Sequence, residues 1–261
     1  MILVLLAVFG LSFSQTASAT VIAEPSPSVS VSPNPSPSPS PTGKPKYIRV
    51  AASLSASHDY LQKHPAPDYW AIAPFYEGQG ASSSSVASVA MLLNAARAST
   101  DRDDEELIHQ DDLLKKTADA DWTKSAASPG GSLMLDQLAN VVEKAFEAYG
   151  FKNVEALPYH AQNSVSFKKT LHDALVENEK SSADFILADF NESSFVGEVE
   201  IDHVAVIGAY DAEKKRALIF DTDRQWYEPY WVSEEQLVNG MATANPQTGM
   251  VRGFIWIKLR K

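Results

Sequence analysis

The sequence predicts an α+β domain in which helices come first and strands last. Three observations predict it. Helical periodicity is confined to residues 83–178, strand-type apolar runs are confined to residues 185–259, and the strands are separated by short polar turns rather than by helical crossovers. Residues 47–261 form this domain and are numerous enough for one substantial core.

Two segments precede it. Met1 to Phe13 is almost purely apolar, and Ala17-Ser18-Ala19 supplies the small residues a signal peptidase accepts, although no Lys or Arg precedes the apolar run. The run falls short of the ~20 residues a membrane span needs. Residues 1–19 therefore read as a signal peptide, with a secreted or periplasmic product and no membrane span after cleavage. In residues 20–46, Pro alternates with Ser, Val, Asn and Thr from Glu24 to Lys46. Such a tract has no core to bury and stays extended, partly as polyproline II, so it reads as a linker.

The elements follow in order. Asp68 to Gly80 holds aromatics and turn residues and reads as a loop. Ser83 to Arg97 reads as a helix, with Val86, Val89, Ala90, Leu93 and Ala96 near helical spacing and serines 82–84 as N-cap candidates. Ser128-Pro129-Gly130-Gly131 breaks the chain. Ser132 to Tyr149 is a second amphipathic helix, stopped by Gly150, and Ser166 to Asn178 a third. Phe185–Phe190, His203–Tyr210, Arg216–Asp221 and Val251–Leu259 are the strands, with Asp211 to Lys215 as a polar turn inside a hairpin.

Composition excludes several classes. The net charge is −11 and no basic stripe is present, which argues against a nucleic-acid binder. There is no cysteine, so disulfides, thiolate metal sites, thiol nucleophiles and a lipoprotein anchor are excluded. The acidic stretch Asp101 to Asp112 lacks the spacing of a calcium loop and reads as a solvated helix face. His58 and His64 have no further ligand in range for zinc, and no metal site is expected. Trp226, Tyr227, Tyr230 and Trp231 read as core and pocket wall.

Three features could carry chemistry. A serine at the start of the helix opening in Ser83-Ser84-Ser85 would feel the positive end of the macrodipole, which stabilises developing negative charge, although serine is also an ordinary cap. His203 opens one strand of the hairpin and Asp221 closes the other. If these strands pair about a midpoint at Ala212, the two residues lie opposite each other, and a carboxylate there fixes the imidazole tautomer and stabilises its charged form.

From about Phe75 to Ile257 the sequence resembles phytochelatin synthases. The family's Gln, its Cys-Gly-x-Ala-Ser stretch and its Leu-Asn-Ala are met by Gln79, Ser84-Ser85-Val86-Ala87-Ser88 and Leu93-Asn94-Ala95. Its His-x-x-x-Ile-Gly-x-Tyr is matched by His203, Ile207, Gly208 and Tyr210, and its Leu-Ile-x-Asp-x-x-Arg by Leu218, Ile219, Asp221 and Arg224. Tyr227, Pro229, Trp231 and Val232 match a Tyr-x-Pro-x-Trp-Val, and Arg252-Gly253-Phe254 matches a terminal Arg-Gly-Phe.

The resemblance implies a papain-like fold and transfer of a γ-glutamylcysteinyl unit from glutathione. It implies a nucleophile at Ser84, with Ser85 as the alternative, where the family carries cysteine. His203 would be the base, Asp221 its orienting carboxylate and Gln79 an oxyanion donor, with Ser85, Arg224 and Tyr227 at the substrate. The expected partner is glutathione or a γ-glutamyl peptide. No cofactor is identified in the sequence, and the family's activity is linked to heavy-metal ions bound as thiolates. Three departures stand out. Serine replaces the cysteine, one residue fewer separates Gln79 from Ser84, and Glu192 falls near a family Arg, reversing the charge. The Cys-rich C-terminal region of the family's plant members is also absent from this sequence, as it is from the bacterial half-length members. Two readings follow: an acyltransferase or hydrolase working through Ser84, His203 and Asp221, or a pseudoenzyme that binds a glutathione-like or peptide ligand.

Overall fold

A seven-stranded antiparallel sheet carries the fold. The computed structural model describes residues 51–80, 84–100, 106–127, 131–196 and 201–260, all within one compact unit, Gly43–Lys261. The expected signal peptide and linker lie outside the described residues. So do Ser82 and Ser83 of the cap run, residues 101–105 of the acidic stretch and residues 128–130 of the Ser-Pro-Gly break.

The strands are β1 (Ala51–Ser53), β2 (Val154–His160), β3 (Asp184–Asn191), β4 (Asp202–Asp211), β5 (Arg216–Phe220), β6 (Tyr230–Ser233) and β7 (Gly253–Leu259), in the order β1-β6-β5-β4-β3-β7-β2. β4 is central and is buried on both faces from His203 to Asp211. That explains why it reads as a continuous apolar run rather than an alternating one.

Helices cover both faces. One face packs on α1 (Asp59–Lys63), α2 (Pro67–Ile72), α3 (Ser84–Ala98), α4 (Gln110–Thr117), α5 (Ala120–Ala126) and α6 (Leu135–Ala148). The other packs on α7 (Val165–Asn178), α8 (Ser193–Val196) and α9 (Glu234–Met241). α3 is buried from Val86 to Arg97, so its apolar residues are not confined to one stripe. A helix enclosed on all sides reads that way. Among the described residues no helix is long and apolar enough to cross a membrane.

The α+β expectation is met, with corrections of detail. The expected loop at 68–80 contains α2 and a 3-10 turn (Ala73–Phe75). Pro67 in the first turn, with Asp68 behind it, starts a helix there. The strands are not all last. β1 begins the described residues, and β2 precedes α7 as the edge partner of β7. Its Pro158 hid it as a strand, and an edge is where a sheet tolerates proline.

The hairpin register also differs. Asp211 pairs with Arg216 and Val206 with Phe220, with a bulge between Ile207 and Ala209. Continued one step, this register sets Asp221 opposite Ala205 rather than His203. The turn is tighter than expected, with Lys215 at positive φ, and the bulge inserts one residue into β4. His203 and Asp221 are still on one face, as diagonal neighbours two residues apart, which long side chains can bridge. The bulge lies at Gly208, where an added Cβ would fall 2.0 Å from the Phe220 ring. The glycine thus makes room for the side chain beside Asp221.

Candidate active site

The start of β4, the ends of β3 and β5 and the N-terminus of α3 converge at one end of the sheet. Beyond the last β4–β5 pair, the Val204 peptide is bonded by two serines one helical turn apart. Val204 N–H donates to Ser84 Oγ at 3.2 Å, and the Ser88 hydroxyl donates to Val204 C=O at 3.0 Å. The first turn of α3 is thereby clipped to the residue next to His203. Among the described residues, Ser84 and the His203 ring form no direct hydrogen bond.

His203 Nε2 lies 2.9 Å from Asp221 Oδ1, with the residues 2% and 0% exposed. The contact is that of an ion pair, although the ring N–H is not aimed squarely at an acceptor. Asp221 is held from several sides. Tyr230 O–H donates to Oδ2 at 2.7 Å, Asp223 N–H donates to Oδ1 at 2.8 Å, and Tyr76 O–H donates to the Asp221 carbonyl. Burial disfavours charge on both partners. It is outweighed at His203 by the Asp221 and Glu192 carboxylates, which push the imidazole up to about 10. Burial likewise works against the Asp221 anion, but His203 beside it and the Tyr230 and Asp223 hydrogen bonds hold the carboxyl below its ordinary value.

The structure brings Gln79 to this end of the sheet. Its N–H donates to Thr222 C=O at 2.7 Å, and the Thr222 hydroxyl donates to its Oε1 at 2.9 Å. With the amide oxygen fixed in this way, the side-chain NH₂ is oriented as a donor. The loop is secured by Gln110, which accepts from Gly80 N–H and donates to Gly78 C=O. Asn94 in turn clamps the segment before Gln110 through both backbone groups of Ile108, at 2.9 and 3.0 Å. The Asn of the Leu-Asn-Ala stretch thus acts through Ile108 and Gln110 on the Gln79 loop.

The remaining sequence-predicted residues are placed as follows. Ser85 Oγ accepts from Trp122 Nε1 at 3.0 Å, which ties it to a fully buried ring on α5. Arg224 is exposed. It donates to Tyr76 C=O at 2.7 Å and lies 4.4 Å over the Tyr76 ring. Tyr227 is buried and edge-on to Tyr230, 6.2 Å away. Both Arg224 and Tyr227 therefore touch side chains that bond Asp221. Sequence reasoning missed the roles of Tyr230, Tyr76, Thr222, Gln110 and Trp122. Only Tyr230 carried a signal, as a tyrosine within a run of aromatics.

Glu192 follows β3 and is buried, with one carboxylate oxygen within 4.8 Å of donor atoms on His203 and Asp221. Such spacing could admit a metal ion, but the Asp221 carboxylate already accepts from Tyr230 and Asp223 and lies 2.9 Å from the His203 ring. The three read as a buried charge cluster. The chain has no cysteine, so it offers no thiolate to a heavy metal.

A buried helix abutting the start of a sheet strand that bears a histidine, with a carboxylate just past the end of the next strand, is an α+β arrangement of the kind the sequence resemblance implies. The chain belongs to the phytochelatin synthase family, whose description matches residues 52–254. It is similar to glutathione gamma-glutamylcysteinyltransferase 1 of Triticum aestivum, 36% identical over 134 residues, covering 49% of this chain and 27% of the wheat protein. It is also similar to glutathione gamma-glutamylcysteinyltransferase 2 of Arabidopsis thaliana, 42% identical over 55 residues, covering 21% of this chain and 12% of that protein. A third relative is glutathione gamma-glutamylcysteinyltransferase 3 of Lotus japonicus, 39% identical over 59 residues, covering 23% of this chain and 12% of that protein. The matches thus span about a quarter or less of these relatives' length.

Proposed function

We propose that this domain acts on glutathione or a related γ-glutamyl peptide by acyl transfer through Ser84, His203 and Asp221. One observation carries the reading: a buried His203–Asp221 pair beside Val204, the residue to which the first turn of α3 is clipped through Ser84. Serine stands where the family's nucleophilic cysteine is expected. A hydroxyl does not ionise near neutral pH as a thiol does, so His203 must take its proton during attack on the carbonyl of the Cys–Gly bond. Gln79 and the Ser84 N–H would receive the oxyanion. The protonated ring then gives its proton to the departing glycine amine. Water or a second thiol peptide takes the γ-glutamylcysteinyl group from Ser84. Any metal thiolate in the reaction is the substrate's own. The apolar N-terminal stretch supports a secreted or periplasmic location, with the Pro-rich tract as a spacer.

A second reading, a pseudoenzyme that binds such a peptide, is favoured by two specific observations. The Asp221 and Glu192 carboxylates beside His203 push its imidazole up to about 10, which disfavours it as a base near neutral pH, and Ser84 Oγ accepts from Val204 N–H. The test is glycine release from glutathione, with trace Zn²⁺ or Cd²⁺, followed by mass spectrometry. The catalytic reading expects release that is abolished in Ser84→Ala and in His203→Ala. Absence of release at every pH from 6 to 10.5 (roughly the range over which the ring loses its proton) rejects it in favour of the binding reading.

A further inference from the structure

Acyl transfer needs one carboxylate to orient the histidine, and Asp221 fills that role. The site has a second. The Glu192 backbone is pinned, its N–H donating to Ile201 C=O at 3.0 Å and its C=O accepting from Phe195 N–H at 2.9 Å and Val196 N–H at 3.2 Å. These bonds set its side chain, in a residue 2% exposed, with one oxygen within 4.8 Å of donor atoms on both His203 and Asp221. At that range, away from water, a charge acts on an imidazole far more strongly than across solvent.

The other groups around the ring come from every element packed on it. Asp221 directly follows β5, and Asp223 lies two residues further on; both carboxylates act on the ring. β3 contributes the Phe190 ring, edge-on at 5.6 Å, and Asp189, whose carboxyl is pushed well up by burial. Arg252 is the nearby cation, 2.6 Å from Asp202 and 3.9 Å from Asp189. β6 contributes Tyr230, bonded to Asp221, and α3 contributes Ser84 through Val204.

Taking His203 and Asp221 as the catalytic pair of the preceding section, we propose that Glu192 is a positioning residue that holds the His203 ring protonated, so that Ser84 can be activated only under alkaline conditions. Asp221 orients the ring, and Glu192 adds a second charge that opposes loss of the proton. A permanently charged imidazole suits a site whose partner at the helix N-terminus is an anion. A hydroxyl nucleophile requires the opposite, because the ring must be free to accept a proton.

The experiment is an NMR titration of histidine-labelled domain with EDTA present, the His203 signal being assigned by its loss in His203→Asn. The expected His203 midpoint in the unaltered protein lies at least two units above the ordinary ~6.5. In Glu192→Gln it drops by about one unit or more; Glu192→Asp, which keeps the charge, retains most of the elevation. A His203 midpoint near 6.5 in the unaltered protein overturns the proposal without any variant. So does a Glu192→Gln midpoint within about 0.3 units of the unaltered one, or loss of the elevation in both variants alike. Glycine release is scored separately. Its absence at every pH would reject the catalytic reading and leave the titration result standing. If release is found, its alkaline onset should move down in Glu192→Gln with the midpoint.

Discussion

Two carboxylates near opposite ends of β4, the buried Asp221 and the half-buried Glu179, are kept from water by opposite means. At its start, Asp221 lies against His203 and stays ionised, a cation and an anion compensating each other in a space that excludes water. At its far end, Tyr210 N–H donates to Glu179 at 2.6 Å and Tyr60 O–H donates to it at 2.9 Å, and no cation supports the carboxylate in these contacts. Burial there pushes Glu179 up to about 7. Asp68, bonded to Asn178 close by, is pushed well up by burial and by Asp184 and Glu179. The comparison shows that burial alone does not set the charge of a carboxylate. The group opposite it decides whether burial yields a charged pair or a neutral acid.

The largest expected effect breaks the charged end. His203→Ala leaves Asp221 and Glu192 buried without their cation and should cost about 3–5 kcal/mol in urea unfolding. Next comes the joint between the two ends. Gly208→Ala drives a Cβ into the Phe220 ring and should cost about 1–3 kcal/mol, with a shift of Asp221 away from His203 visible in the histidine NMR spectrum.

The pH dependence of stability separates the ends. Glu179 is raised from 4.5 to about 7, so its stabilising contribution is complete below 4.5 and lost as pH rises through 7. His203 is raised from 6.5 to about 10, so its contribution is complete below 6.5 and lost as pH rises through 10. Asp221 is lowered from 3.8, so its contribution is present above 3.8 and lost as pH falls through its lower folded value. Thermal unfolding across pH 4–10.5 (about the span of these transitions) should therefore show two declines as pH rises, the first between 4.5 and about 7 and the second between 6.5 and about 10. Glu179→Gln should remove the first and leave the second. The smallest effect is Trp122→Phe, which removes the hydrogen bond to Ser85 and should cost about 1 kcal/mol while loosening the first turn of α3.

Much of this was legible in the sequence, for physical reasons. β3, β4 and β5 are buried and bounded by polar turns, so their runs stood out within a residue or two. The pairing of His203 with Asp221 survived a register error of two because side chains alternate with period two, and an even shift keeps them on one face. β1 and β6 are too short to show a pattern, and β2 is interrupted by Pro158. The brace around Asp221 was not legible. Tyr76 and Tyr230 lie 145 and 9 positions from it, and hydrogen bonds of that kind leave no periodic trace. Glu192 was visible as a reversed charge, but its place beside the ring depends on how the end of β3 turns into α8.

The absence of cysteine permits a direct test of the account. In Ser84→Cys the introduced thiol is the chain's only one, so its alkylation by iodoacetamide as a function of pH reports its ionisation without background. If Ser84 sits at the helix N-terminus beside a protonated His203, the thiol should ionise well below the ordinary ~8.5, with alkylation already at its plateau by about pH 7, and His203→Ala should return it toward the ordinary value. A thiol that titrates at or above ~8.5 and does not respond to His203→Ala would contradict the placement of Ser84 as the nucleophile of this site.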